Sequence, residues 1–203
     1  MVDLDLCRTA VINIHWQHDI VSGIGAFGET FATMAKERGS AAKAKALSEA
    51  ARAAGVFVVS VRTAFQANHS DLLGTAPLFG MVLELGALIE GTNGVEYIPE
   101  MAPAPSDFIV SSASATGFHS TDLNRVLRSR DIDTVLLTGV ATNFAVEGTG
   151  REAFALGYKT VIVSDATAAK TAEAHEATLE NFRLLGWVVT SDELIAAFKS
   201  ATT

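Results

Sequence analysis

"TVLLTGVATNFAVEGTGREAF", residues 134–154, decides the fold. Its first part, "TVLLTG" (134–139), is a short apolar, β-rich run, and a helical pattern over 143–156 follows directly and stops at Gly157. A strand that turns straight into a helix aims backbone N–H groups at whatever sits before the helix, where an anion or a nucleophile is normally held. The residue in that first helical turn is Ala145, whose methyl group can do no chemistry.

Working outward, the same alternation recurs along the chain. Further strand candidates are "TAVINI" (9–14), "VFVVSVR" (56–62), "DFIVSS" (107–112), "KTVIVS" (159–164) and "GWVVT" (186–190). Helical patterns cover 40–54, stopping at Gly55, then 121–130 with Ser120 or Thr121 as cap, 170–185, and 191–199 opening on "SDE". Near-continuous apolar strands separated by helices predict a three-layer α/β/α domain, with a six-stranded parallel sheet covered by helices on both faces. The stretch 63–106 breaks the rhythm with Gly, Asn and all four prolines. It reads as an inserted excursion and pocket wall within a single domain spanning 1–203, with "PEMAPAP" (99–105) as a stiff connector. In such sheets ligands bind at the carboxyl ends of the strands, which directs attention to His15, 62–65, 111–114, 141–145 and Asp165.

Composition narrows the partners. The chain has 203 residues, 49% hydrophobic and 19% charged, and a mean hydropathy of +0.29. That is the profile of a well-cored globular protein. A net charge of −8 argues against nucleic acid and anionic membrane as general partners. The lone Cys7 excludes an internal disulfide. The N-terminal "MVDLDLC" has acids where a signal peptide needs bases, and no apolar run reaches the ~18 residues of a membrane span. The expectation is a cytoplasmic protein with a small-molecule substrate or ligand.

Four stretches together resemble the isochorismatase-like cysteine hydrolases, a superfamily that includes nicotinamidases and carbamoylsarcosine-type amidases. "AVINIHWQHDIV" (10–21) looks like the family's first strand and its apolar-Asp-x-Gln-x-Asp turn, with Gln17 and Asp19 kept. "GFHSTDL" (117–123) looks like the Phe-x-x-Thr-x-Leu stretch that opens a helix. "GVATNFAVEGTGREAFALGY" (139–158) is similar to the nucleophile segment, and "VSDA" (163–166) to the strand after it. The resemblance runs in order over roughly residues 9–199.

The family's chemistry needs an Asp base, a Lys and a Cys nucleophile. Counted from the matched neighbours, those positions are His15, Ser112 and Ala145, so all three are replaced. The thiolate is the attacking species in that route, and no other Cys is near, which closes it. Relatives acting on vinyl ethers lack the Cys but keep the Asp, and this chain lacks that too. The metal site of nicotinamidase-type relatives wants an Asp-x-His pair and a later His; "VRTAFQANHSD" offers only His69. No metal and no cofactor are expected. The resemblance further implies a cis Val140–Ala141 peptide, neighbouring first-strand and third-strand site residues, and a homo-oligomer.

What remains is a backbone cradle and a histidine. Ala141, Thr142, Asn143 and Ala145 would form an oxyanion or substrate cradle, with Thr142 and Asn143 alternatively serving as helix caps. His15 ends a buried strand and can gain or lose a proton near neutral pH. If it touches Ser112, the two make a Ser–His pair; otherwise His15 is a decayed-site histidine bonded to backbone. Arg62 is a candidate for a substrate carboxylate, or a structural ion pair. Trp16, Phe118 and His119 are candidate pocket residues, with packing or surface roles as the alternative. His175, on an apolar helical stripe, reads as a satisfied core histidine. The function expected is a hydrolase with rewritten, non-cysteine chemistry on a small carbonyl or carboxylate substrate. The alternative is a catalytically dead relative that binds a small molecule or partner.

Overall fold

Burial follows strand position. In the computed structural model, which describes residues 4–72, 74 and 76–201, β1 (Thr9–Ile14) and β4 (Thr134–Val140) are buried along their whole length. β2 (Phe57–Thr63) flanks β1, and β3 (Phe108–Ser112) and β6 (Trp187–Val189) are half-exposed at the sheet edges. With β5 (Lys159–Ala168) the order is β3-β2-β1-β4-β5-β6, and every pairing is parallel. A strand covered on both faces must be apolar throughout, which is why the central segments read as continuous runs.

Two helical layers cover the sheet. One core contains Val11, Val58, Leu136 and Val161 with Leu47 of α3 (Ser40–Ala53) and Leu194 and Phe198 of α8 (Ser191–Ala201). α1 (His18–Val21), α2 (Gly28–Arg38) and α4 (Pro77–Leu85) add Ile20, Ala35 and Val82 to it. The opposite core gathers Ile12, Val59 and Ile162 with α5 (Leu123–Ser129), α6 (Glu147–Ala155) and α7 (Ala172–Phe182). The fold is the expected three-layer α/β/α arrangement.

Local differences from the sequence reading have local causes. α2 has no counterpart in the sequence pattern: it starts after Phe27 with no side-chain cap and opens on a glycine, so its start carries no signal. α4 lies inside the 63–106 excursion, with Pro77 in its first turn and Gly86 as a left-handed stop. The helix expected over 143–156 begins as a π turn, Thr142–Val146, before α6. Gly139 explains how β4 enters that turn. Its φ is +131°, and a Cβ there would sit 2.1 Å from the Ile14 carbonyl oxygen, so only glycine lets β4 lie this close to the end of β1. Among the described residues no helix is long and apolar enough to cross a membrane.

Candidate functional site

The site forms where β1, β2 and β4 end. His15, one residue past β1, takes a left-handed φ of +56° and donates its backbone N–H to the Val61 carbonyl, 2.9 Å. That bend turns the imidazole to the level of Thr63, and His15 Nε2 lies 2.9 Å from Thr63 Oγ1. The Thr63 hydroxyl also reaches the Ser114 carbonyl at 3.3 Å.

Gln17 holds Thr63 in place. Its Oε1 accepts from the Thr63 N–H at 2.8 Å, and its Nε2 donates to the Thr63 carbonyl at 2.8 Å and to the Val95 carbonyl at 3.0 Å. Asp19 ties down the excursion: its carboxylate accepts from the Leu88 N–H at 2.8 Å. Gly94 passes so close that a Cβ there would meet Asp19 Oδ2 at 2.2 Å. The two residues kept from the first-strand motif are therefore clamps on the site's frame.

Above His15 lies a cavity of about 70 Å³, room for a compact molecule. Five phenylalanines wall it: Phe27, Phe31, Phe65, Phe79 and Phe144. Phe144 is 47% exposed and marks the mouth. Among the described residues the polar lining side chains are His15, Thr63 and Ser114, and none carries a formal carboxylate, ammonium or guanidinium charge. Burial in these surroundings lowers the His15 pKa to about 4, because the apolar walls disfavour the imidazolium. His15 is neutral at physiological pH.

The β4–α6 turn forms the remaining side. The Val140–Ala141 peptide is cis, and Ala141 and Ala145 both line the cavity. The Phe144 and Val146 N–H groups each donate to the Ala141 carbonyl at 3.1 Å, so those two amides are occupied within the turn itself.

Of the residues proposed from sequence, the cavity thus brings together His15, Ala141 and Ala145. Of the two alternatives for His15, the one that pairs it with Ser112 is not met: no hydrogen bond joins them. The strand order puts β2 between β1 and β3, and Thr63 pairs in register with Ser112. Two strand spacings, about 10 Å, separate first-strand from third-strand positions, a gap a serine side chain is too short to cross. Ser112 instead donates to the Ser114 and Thr116 carbonyls, at 3.3 and 3.1 Å.

Arg62 does not face the cavity; its guanidinium grips both Glu90 carboxylate oxygens at 2.9 Å. Trp16 is buried in the core and donates its indole N–H to Thr138 Oγ1 at 3.2 Å. Phe118 packs on the other face of the sheet against Tyr158, ring centroids 5.8 Å apart. His119 and Asn143 are exposed and neither lines the cavity. Thr142 neither caps the helix nor lines the cavity, because its hydroxyl is engaged by His175 Nδ1 at 2.8 Å.

The sequence points to Thr63 only as part of the 62–65 strand end and gives it no role, and the walls Phe27, Phe31 and Phe79 carry no signal of their own. Thr63 had one usable signal, its place at the end of a strand adjacent to the one carrying His15. Two of the missed walls belong to α2 and α4, whose helices were not legible.

An isochorismatase-domain family model matches residues 9–193. An uncharacterized isochorismatase family protein of Bacillus subtilis is 32% identical over 199 residues, 98% of each chain. A ureidoacrylate amidohydrolase of Rhizobium rhizogenes is 28% identical over 214 residues, 98% of this chain and 87% of that one. A cysteine hydrolase of Pseudomonas syringae superposes with a TM-score of 0.87 at 31% identity, covering 98% of this chain and 95% of the other. With the motifs, the sheet order and these matches in agreement, the chain belongs to the isochorismatase family, a family of hydrolases.

Proposed function

We propose that the protein hydrolyses a small carbonyl compound without a thiol nucleophile, using His15 as acid and base and Thr63 as its anchoring partner. The observation that carries this reading is the 2.9 Å His15–Thr63 contact at the floor of an otherwise apolar cavity. Thr63 takes the place beside His15 that the sequence suggested for Ser112. One of the hydrolases among the relatives, a ureidoacrylate amidohydrolase, supports an amide or a related acyl derivative as the substrate class.

We assign the proton positions by giving the Thr63 hydroxyl proton to the Ser114 carbonyl. A hydroxyl has one proton, and a carbonyl oxygen only accepts. Thr63 donating to Ser114 leaves its oxygen to accept from His15 Nε2–H. The free lone pair then sits on Nδ1. There it takes a proton from water as the water oxygen attacks the substrate carbonyl carbon, and returns that proton to the departing nitrogen or oxygen. Residues 63–106 supply Phe65 and Phe79 to the walls, and we read that segment as the part that selects the substrate. The same reading includes a homo-oligomer in the cytoplasm; α4 exposes Met81, Leu83 and Leu85, the kind of surface a second copy covers.

A second reading, a non-catalytic binder, is favoured by two features. Burial makes His15 a weak base, and among the described residues no carboxylate orients its ring. The experiment is a panel of small amides, esters, enol ethers and lactones offered to the protein and to His15→Asn, with products read by mass spectrometry. Asparagine tolerates the left-handed backbone there. Turnover that falls in the variant supports the hydrolase; no turnover by either, with binding retained, overturns it in favour of the binder.

A further inference from the structure

The cavity has a chemical bias that narrows what it holds. Thr63 and the Ser114 carbonyl fix one side of the imidazole. The other nitrogen, Nδ1, has no hydrogen-bond partner among the described residues, yet it is not among the fully enclosed polar atoms left without one. Since His15 lines the cavity, Nδ1 opens onto it. With the tautomer assigned above, an accepting lone pair at the floor, phenylalanine walls and, among the described residues, no charged lining side chain favour one kind of guest. A carboxylate would lose its water and meet no cation, since Arg62 is held outside by Glu90.

Resting on the reading that this cavity is the functional site, we propose that it selects compact, uncharged molecules presenting an N–H or O–H donor to His15 Nδ1, and rejects carboxylates of the same shape. The discrimination is by charge: a neutral hydrogen-bond donor on a small branched or flat apolar body enters, and its anionic counterpart does not. The carboxylate product of amide hydrolysis would be expelled by the same walls that admit the amide.

The test uses three probes of one shape: isobutyramide, methyl isopropyl ketone and isobutyrate, which differ only in an amino, a methyl or an oxyanion group. Dissociation constants are read by ligand-observed NMR on the full-length chain near neutral pH. The amide is expected to bind about 10-fold tighter than the ketone and about 100-fold tighter than the carboxylate. In Thr63→Val, which keeps the side-chain shape, the imidazole proton is released from its anchor. The amide-over-ketone preference then falls to about 3-fold or less. Circular dichroism establishes that the variant is folded, and His15→Asn serves as a second variant with the same expectation.

Isobutyrate binding as tightly as isobutyramide overturns the proposal, as does a preference that survives both variants, or no binding by any probe below about 50 mM. Binding is read apart from turnover. An amide that binds with the stated preference but is not cleaved sinks the hydrolase reading and leaves this one standing.

Discussion

Two buried histidines in this chain each contact a threonine hydroxyl, and they do opposite things. His175, on α7, is enclosed with both ring nitrogens in use: Nδ1 meets Thr142 Oγ1 at 2.8 Å and Nε2 meets the Arg38 guanidinium at 2.9 Å. A guanidinium only donates, so Nε2 must accept and the proton sits on Nδ1. Arg38 also donates to the Ser164 carbonyl at 3.2 Å, closing a polar chain that ties α2, β5 and α7 to the turn carrying Ala141 and Ala145. His15 has a comparable threonine contact, but its second nitrogen is uncommitted and opens onto a cavity. In both, burial lowers the pKa, joined at His175 by the nearby Arg38 charge. Burial therefore does not separate a structural histidine from a chemically available one. The count of satisfied nitrogens does.

The comparison breaks most visibly in activity. On the hydrolase reading, His15→Asn lowers kcat/KM by about 100-fold or more, the scale of a lost general base, while His175→Gln leaves kcat within a few-fold. Equal losses in steady-state assays of the two would erase the distinction. Stability should show the reverse order. His175→Ala removes one partner of the half-buried Arg38 guanidinium and leaves the buried Thr142 hydroxyl without its imidazole, and is expected to cost about 2–4 kcal/mol in urea unfolding. Thr63→Val, which removes a single contact, is expected to cost about 1 kcal/mol. Similar midpoints for the two would mean that the enclosed network is no more cohesive than the cavity floor.

Acid sharpens the contrast. The His15 pKa is about 4 in the fold and about 6.5 in an unfolded chain, so between those values the unfolded chain binds more protons. The stability carried by neutral His15 is fully present above about pH 6.5. It is lost as pH falls toward 4, on the order of 3 kcal/mol in all. His175 adds a loss of the same sign. Unfolding free energies measured between pH 7 and 4 should fall in the parent chain and fall less steeply in His15→Asn. An unchanged slope would mean that His15 is not the group responsible. The smallest effect is expected at the mouth: Phe144→Ala changes stability by under about 0.5 kcal/mol, since the ring is half-exposed. It should speed probe exchange, measured by NMR line shape; unaltered exchange would place the entrance elsewhere.

Much of this was legible before any coordinates. The six strands are marked by apolar runs because each must fill a position in a doubly covered sheet, and their ends fall within one or two residues of the runs, β5 excepted, which continues through Asp165 to Ala168. His15 and Ala145 were found because their motif neighbours fix the count. The site's remaining members were not. Ser112 was placed beside His15 on resemblance alone, but the interposed β2 brings Thr63 there instead. Arg62 had a suitable charge at a strand end, and Glu90, from the far side of the excursion, captured it.

The sequence by itself determined the layers, the strands and that position 145, in the turn after β4, carries a methyl group and no thiol, because periodicity, stop signals and residue identity are local properties of the chain. Tertiary structure alone decided which hydroxyl stands against His15, which charges are cancelled outside the cavity, and which histidine keeps a nitrogen free. Those outcomes depend on the lateral order of strands and on loops far apart in sequence closing over one another, and no local pattern encodes them.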